Sequence, residues 1–440
     1  MNLDGPVNTV LTLLGALDDA RLTFRSREAL ERHQDRLAHG HLRWVAAHSP
    51  AVAARFRAAG LPLGRWRELP PTDKAAMLAT FDTLNTVGVT LEHALAVGRQ
   101  AERTRDFTPT LATPAGPVTV GLSTGTSGTQ GVFLVSRAEQ ARWAGTVLRH
   151  LLPGGLWGLL RPQRVAFFLR ADSPLYRSVR RRRLEFRFFD LLRPLPDLAA
   201  EVQAYAPTLI VGPPGVLRAL HRTGVRLRGR VISVAEVLDP DDEAALRDWG
   251  DVVQVYQATE GLLALPCPHG SLHLNEAHVH FDLEPLGDGL HRPVITDLRR
   301  RAQPFIRHRL DDALRLNPDP CPCGQAARRV HSIAGRQDDA LHLPGAAGES
   351  VTVWPDFLRG ALAAVPGLRE YRADQTGPAA LTLHLDPHTP DTRAHALSAV
   401  RDALHHSHAD PGRLTLDTRP LDPPPPGTKR RRVTRSWRPT

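Results

Sequence analysis

The chain has 440 residues, 42% hydrophobic and 23% charged, an ordinary globular balance that excludes wholesale disorder. No apolar run approaches the roughly 18 residues of a membrane-spanning helix, the start has no basic signal-peptide region, and three cysteines make no disulfide framework; a soluble, cytoplasmic chain of about two to four domains is expected. The formal net charge is +10, and of 56 cationic residues only Lys74 and Lys429 are lysine.

Residues 1–110 read as mostly helical, with apolar residues at helical spacing in 27–38 and 51–59. In Leu69-Pro70-Pro71-Thr72-Asp73-Lys74 a proline turn precedes a helix, with Thr72 or Asp73 placed to cap it. From about 118 to 260, short apolar strands alternate with helices. The strands are expected at 118–122, 132–135, 164–169, 208–211, 230–234 and 252–256, and the helices after Ser136 and at 195–205, 215–222 and 241–249. That alternation predicts a mostly parallel, doubly wound sheet with ligands at the carboxyl ends of its strands. Residues 270–316 read as β-rich. After Asp338, a module of about 100 residues carries an alternating strand at 380–385 and a helix at 391–406, and ends in a proline-rich stretch and a basic tail. The net charge is local: 176–187 holds six arginines against Glu185 alone, and 427–440 holds Lys429 and five arginines with no acid. Such runs can bind phosphate or nucleic acid, but the expected reading is a solvated face and a solvated tail.

Three motifs carry chemistry. Ser123-Thr124-Gly125-Thr126-Ser127-Gly128-Thr129-Gln130-Gly131 has glycines every third residue, which let backbone N–H groups converge on an anion, and hydroxyls between them. No Gly-Lys-Ser/Thr follows, so it is not a Walker loop. Gly121-Leu122-Ser123-Thr124-Gly125 also satisfies the serine-hydrolase elbow, which would demand a strand, a sharp turn and then a helix. Gln254-Val255-Tyr256-Gln257-Ala258-Thr259-Glu260-Gly261 delivers an aromatic face, a hydroxyl and a carboxylate from one strand end, suited to a base, a phosphate and Mg²⁺. Arg307 to Asp312, with Gly335-Arg336-Gln337-Asp338-Asp339 downstream, offers carboxylates for ribose hydroxyls and arginines for phosphate.

In this order, and with Leu69–Lys74, Asn85-Thr86, Ser233-Val234-Ala235-Glu236 and Thr296-Asp297-Leu298 between them, these elements make the chain resemble the adenylate-forming superfamily over most of its length. It looks closest to the branch holding phenylacetate–CoA ligases and the synthetases that adenylylate the archaeal deazaflavin coenzyme. The resemblance implies an α/β fold with a large N-terminal adenylation domain over 1–337 and a small, mobile α+β C-terminal domain over 338–440. The first would comprise a helical lead-in (1–110), an α/β core with a mostly parallel doubly wound sheet (111–265) and a β-rich subdomain (266–337). It further implies that Ser123, Thr124, Gly125, Thr126, Ser127, Gly128 and Thr129 hold the ATP pyrophosphate. Ala235 and Glu236 would lie along the adenine, and Tyr256 would stack on it beside Gln257. Thr259 would contact the α-phosphate, Glu260 Mg²⁺, Asp312 the ribose hydroxyls and Arg336 the ribose. Asp338 would be the hinge, and Lys429 would bridge carboxylate and α-phosphate. Two departures stand out: the phosphate loop lacks the superfamily's usual lysine, and Lys429 follows Gly427 by two residues, where the family has Gly-Lys.

The implied activity is ATP-dependent, AMP-forming activation of a carboxylate with release of pyrophosphate, with coenzyme A as one acceptor open to the acyl group afterwards. One alternative is an adenylyltransferase that leaves AMP on its product; another is a non-enzymatic nucleic-acid binder using the arginine blocks. All three cysteines, Cys267, Cys321 and Cys323, fall near His269 and His273. Three thiolates and an imidazole make a tetrahedral zinc set, with His273 the preferred fourth ligand and His269 the alternative. Buried or free thiols are the plain reading. The five phenylalanines Phe167, Phe168, Phe186, Phe188 and Phe189 are expected in the core.

Overall fold

The lead-in is helical as its spacing predicts: α1 (Asp4–Ala20), α2 (Arg27–His48), α3 (Pro50–Ala58), α4 (Lys74–Ala79), α5 (Phe81–Leu84) and α6 (Leu91–Thr104), in a computed structural model that describes residues 4–122, 131–169, 183–336, 339–422 and 431–437. Asp73 caps α4 by accepting the Ala76 N–H at 2.8 Å. The Thr72 turn before it is stitched to a distant strand: Thr72 N–H donates to Arg307 O at 2.8 Å and Thr72 O accepts the Arg309 N–H at 2.7 Å. The segment that opens with Lys74 is thereby held against the His308 strand, well away in sequence.

A hairpin follows, β1 (Val118–Leu122) against β2 (Val132–Ser136), paired from Val118↔Ser136 to Leu122↔Val132. The glycine-rich loop joins its two ends. Because a strand and not a helix follows the loop, the hydrolase elbow is excluded. α7 (Arg137–Leu151) starts from a capping box, in which Ser136 Oγ accepts the Glu139 N–H while the Glu139 carboxylate accepts the Ser136 N–H at 2.7 Å. The same carboxylate accepts the Arg301 and Ala302 N–H groups at 2.6 and 3.0 Å, which ties the helix to the β-rich sheet. α1 crosses α7 at Gly145, where an added Cβ would come within 2.6 Å of Ala16 N and Thr12 O.

The parallel sheet has the order β4-β3-β5-β6-β7, with β3 (Gln163–Leu169), β4 (Leu184–Asp190), β5 (Leu209–Gly212), β6 (Arg230–Ser233) and β7 (Val252–Gln254), all parallel. α8 (Leu195–Tyr205), α9 (Pro214–Arg222) and α10 (Pro240–Leu246) connect them. Two expectations need correction. The strand expected at 252–256 is two: β7 ends at Gln254, and Tyr256–Ala258, now β8, pairs antiparallel with β9 (Gly261–Pro266). The chain changes sheets at Val255, whose N–H makes the last parallel bond, to Ser233 O at 3.0 Å. Second, the basic block runs into β4, whose Phe186, Phe188 and Phe189 make it a sheet strand from Leu184 onward.

The second sheet is antiparallel, β11-β12-β14-β15-β10-β9-β8 with β13 on β12. Its further strands are β10 (Leu272–Leu274), β11 (Val279–Gly287), β12 (Leu290–Asp297), β13 (His308–Arg309), β14 (Asp312–Asn317) and β15 (Arg329–Arg336). Beyond it, β16 (Leu341–Pro344) pairs with β17 (Ser350–Val353), and a four-stranded sheet β20-β19-β18-β21 is built from β18 (Glu370–Gly377), β19 (Ala380–Asp386), β20 (Thr415–Pro420) and β21 (Val433–Arg435). With α11 (Pro355–Ala363) and α12 (Pro390–His406), these strands enclose a separate apolar cluster centred on Leu358, Leu383 and Val400. No helix among the described residues is long and apolar enough to cross a membrane.

Candidate active site

A cavity of about 1510 Å³ opens where the carboxyl ends of the parallel strands meet the antiparallel sheet and the C-terminal unit. This is the place a parallel sheet reserves for ligands, at a switch in strand order: β3 feeds β4 on one side and β5 on the other. Ala235, Glu236, Tyr256, Gln257, Thr259 and Asp312 all line it, so residues spread over nearly 80 positions converge there. The sheet change at Val255 brings Tyr256 into position. Its ring is buried, and its hydroxyl donates to Asp312 Oδ2 at 2.5 Å. Ala235 adopts a left-handed φ of 68°, which turns the chain after β6 along the cavity rim, and the Glu236 carboxylate accepts the Gly215 N–H at 3.2 Å.

Thr259 and Glu260 form the tip between β8 and β9, closed by Ala258↔Gly261. Arg300 pins this tip. Its Nη1 donates to Thr259 O at 3.0 Å and to Glu260 O at 2.9 Å, and its Nη2 to Leu134 O on β2 at 3.1 Å. The guanidinium is buried, and burial lowers its pKa. Glu260 is not among the cavity-lining residues; its carboxylate lies 3.8 Å from His308 Nε2. Burial pushes the His308 pKa down, opposed by the carboxylates of Glu260 and Asp73. Lys74 also lines the cavity. Among the residues given no role from sequence, Lys74, Arg300 and His308 therefore belong to this corner; the scarcity of lysine was the signal for the first, His308 fell inside the Arg307–Asp312 motif, and nothing local marked Arg300.

Asp312 opposes Arg336 in register at the start of β14 and the end of β15. Ser123 to Gln130, Asp338 and Lys429 lie outside the described residues, as do Gln337 and most of the arginine block at 176–187. The basic tail departs from the solvated reading. Arg431 is ion-paired with Asp339, and Arg432 is buried with only 3% of its side chain exposed. Arg432 Nη1 meets Asp239 at 2.6 Å and Asp241 at 3.4 Å, its Nη2 lies 3.7 Å from Asp242, and its Nε is 3.0 Å from Glu370. The phenylalanines are packed as expected: Phe168 and Phe189 in the core on one face of the sheet, and Phe167 in the core on the other, where Phe186 packs against the same cluster and both also line the cavity.

Apart from this cavity, Cys267, His273, Cys321 and Cys323 place one donor atom each within 4.8 Å of one another, a set that could hold a metal ion. The Sγ atoms of Cys267 and Cys321 are 3.8 Å apart, and Cys323 Sγ is 3.5 Å from His273 Nε2. His273 Nδ1 hydrogen-bonds Ala327 O at 2.8 Å, which fixes the ring with Nε2 facing the thiols. Burial opposes ionisation of Cys321, but hydrogen bonds from the Cys323 backbone, His273 and Ser271 outweigh it and lower its pKa. His269 is not in the set.

No family model matches the sequence, and no curated protein does. Solved structures do. A 2-hydroxyisobutyryl-CoA ligase in the postadenylation state with 2-HIB-AMP is similar at a TM-score of 0.71, with 16% identity over 95% of this chain and 92% of that one. The open conformation of the same ligase, with 2-HIB-AMP and CoA, scores 0.57 at 16% identity over 94% and 93%. Its thioesterification state scores 0.52 at 16% identity over 95% and 92%. The chain has the fold of the adenylate-forming ligases.

Proposed function

We propose that the protein is an ATP-dependent, AMP-forming ligase that joins a carboxylate to the α-phosphorus of ATP, releases pyrophosphate and passes the acyl group to coenzyme A. The observation that carries this reading is the convergence of Ala235, Tyr256, Thr259 and Asp312 on one cavity, in the fold of a ligase solved with an acyl-AMP. Tyr256 presents an aromatic face to an adenine, and Asp312, oriented by the Tyr256 hydroxyl, presents carboxylate oxygens to ribose hydroxyls. Arg336 flanks the ribose. Ser123 to Thr129, at the end of the β1–β2 hairpin, hold the pyrophosphate with backbone N–H groups.

Two anions must meet for the reaction to proceed, so cations are the central requirement. Lys429 bridges the carboxylate and the α-phosphate, and Lys74, on the cavity wall, stands in for the lysine that the phosphate loop lacks. Glu260, between the cavity-lining Thr259 and Gly261, is the proposed Mg²⁺ ligand; its carboxylate lies 3.8 Å from His308 Nε2, and burial lowers the pKa of that imidazole. Mg²⁺ would neutralise phosphate charge there. The C-terminal unit, over 338–440, turns about Asp338 between half-reactions. Zinc fits the three thiols and His273 as a structural clip on β9, β10 and the Cys321-Pro322-Cys323 loop, and a reducing cytoplasm would keep those thiols available.

The test is ATP–pyrophosphate exchange over a broad panel of acids. At least one acid should support exchange, and Lys429→Ala and Glu260→Gln should each reduce it by roughly 100-fold, the size of one lost electrostatic contact in such a site. Exchange that survives both substitutions would refute the site assignment. Labelled AMP retained on the product, with no free AMP, would instead identify an adenylyltransferase.

A further inference from the structure

The nucleotide end accounts for only part of the cavity. Ligand pockets commonly run to about 300–1,000 Å³, and this one reaches about 1510 Å³. Beyond the nucleotide end the cavity extends both along the C-terminal unit and beneath α7, on the face of the parallel sheet turned toward that helix. Val165, Phe167 and Leu169, alternate residues of β3, all line it, so at about 3.3 Å per residue the chamber runs some 13 Å along the strand. Val147 and Leu151 of α7 form the opposite wall, and Phe186 of β4 closes one side.

The parallel strands contribute no charge to the lining. Every cavity-lining residue of β3, β4, β5 and β6 is apolar, and so is each one on the last turn of α7; the charged lining residues belong to the first half of α7, to α4, α6, α9, β12 and β14, to loops and to the C-terminal unit. Along the strands a polar or doubly charged acid would meet only apolar side chains, and the nearby Thr146 hydroxyl is already spent on Asp19, so its second charge would be desolvated without compensation. An alkyl tail would gain at every step, since each buried methylene multiplies affinity by about fourfold.

Resting on the adenylation reading above, we propose that the acid activated here is an apolar monocarboxylic acid with a long tail, of the fatty-acid type. Its tail lies along β3 under α7, and its carboxylate sits at the strand carboxyl ends near Thr259.

The test has two arms. Without ATP, dodecanoate should displace a fluorescent fatty acid, cis-parinarate, from the full-length protein, and acetate should not. In pyrophosphate exchange, kcat/KM should rise from acetate through butanoate and octanoate to dodecanoate, by more than about 100-fold in all, and phenylacetate should rank below dodecanoate. Val147→Trp, which fills the chamber, should shift the optimum toward shorter acids, and Val147→Ala should shift it toward longer ones, so the inference survives a variant that fails to fold. Equal or better exchange with acetate or phenylacetate would overturn the tail pocket and leave adenylation standing. Displacement by dodecanoate, with no acid supporting exchange, would leave the pocket standing and overturn the adenylation reading. Neither displacement nor exchange would overturn both.

Discussion

Single residues show most clearly what burial does to ionisation. His41 is only 4% exposed and its Nε2 has no hydrogen-bond partner among the described residues. Burial brings its pKa down to about 4, against 6.5 in the open chain. Above pH 6.5 both states are neutral and the residue is silent; below it the unfolded chain takes up a proton that the fold refuses. Stability should therefore fall as pH drops from about 6.5 to about 4, by roughly 3 kcal/mol from this residue. Urea unfolding at both ends of that range should show the loss, and His41→Leu should flatten part of it; an unchanged slope would mean that His41 does not titrate this way. His278 and His308, also lowered by burial, contribute in the same direction. Tyr256 is the residue most legible in sequence, because an aromatic followed closely by a hydroxyl and a carboxylate is a rare set. Its hydrogen bond to Asp312, 56 positions on, was not, because nothing near either residue encodes the sheet crossing at Val255 that aligns them.

At the scale of elements, the β-rich sheet is held by backbone pairing, except where its connecting loops meet at the cysteines. A metal there would tie the turn after β9 to the loop before β15. The purified, unchelated protein should carry close to one zinc per chain, and under about 0.3 would argue against the site. Chelation, or Cys321→Ser, should lower Tm by more than about 5 °C. Because these residues do not line the large cavity, ATP KM should change little while the sheet stays folded. A metal-free protein of unchanged Tm would reduce the set to packed thiols. The spacing of the cysteines made this cluster visible in sequence, whereas the choice of His273 over His269 depended on which of the two falls on β10. The phenylalanine run teaches a similar lesson. Alternation along β3 and β4 divides it between faces, Phe168 and Phe189 into one core cluster and Phe167 and Phe186 into the cluster under α7, where they also line the cavity. Sequence shows the alternation but not which face is left open.

For the whole molecule, the decisive contact is Arg432. It leads into β21 and reaches across to Asp239, Asp241 and Asp242, which follow β6. Arg359 makes a second crossing, donating to Ile333 O and Ala334 O at 3.1 and 2.9 Å. Removing one partner of such a buried set leaves carboxylates uncompensated, at a cost of about 3–5 kcal/mol. That cost would fall on the docking of the C-terminal unit, since the unit keeps its own apolar core. Arg432→Ala should therefore enlarge the radius of gyration in small-angle scattering and lower the rate of exchange more than it weakens ATP binding, because Lys429 lies three residues upstream. Unchanged scattering would show that the latch does not hold the arrangement.

The sequence by itself determined the local grammar: the capped helices, the alternating strands, the order of the motifs and the near-exclusion of lysine, which singled out two positions. Those are properties of short windows, where periodicity and capping chemistry act over a few residues. Only the tertiary structure decided which windows meet. It put Lys74 on the cavity wall, turned a basic tail into a buried ion pair, divided one phenylalanine run between the two faces of the sheet, and left an apolar space beneath α7. Burial and charge pairing depend on what packs from elsewhere in the chain, and a single residue's neighbours in sequence do not specify that.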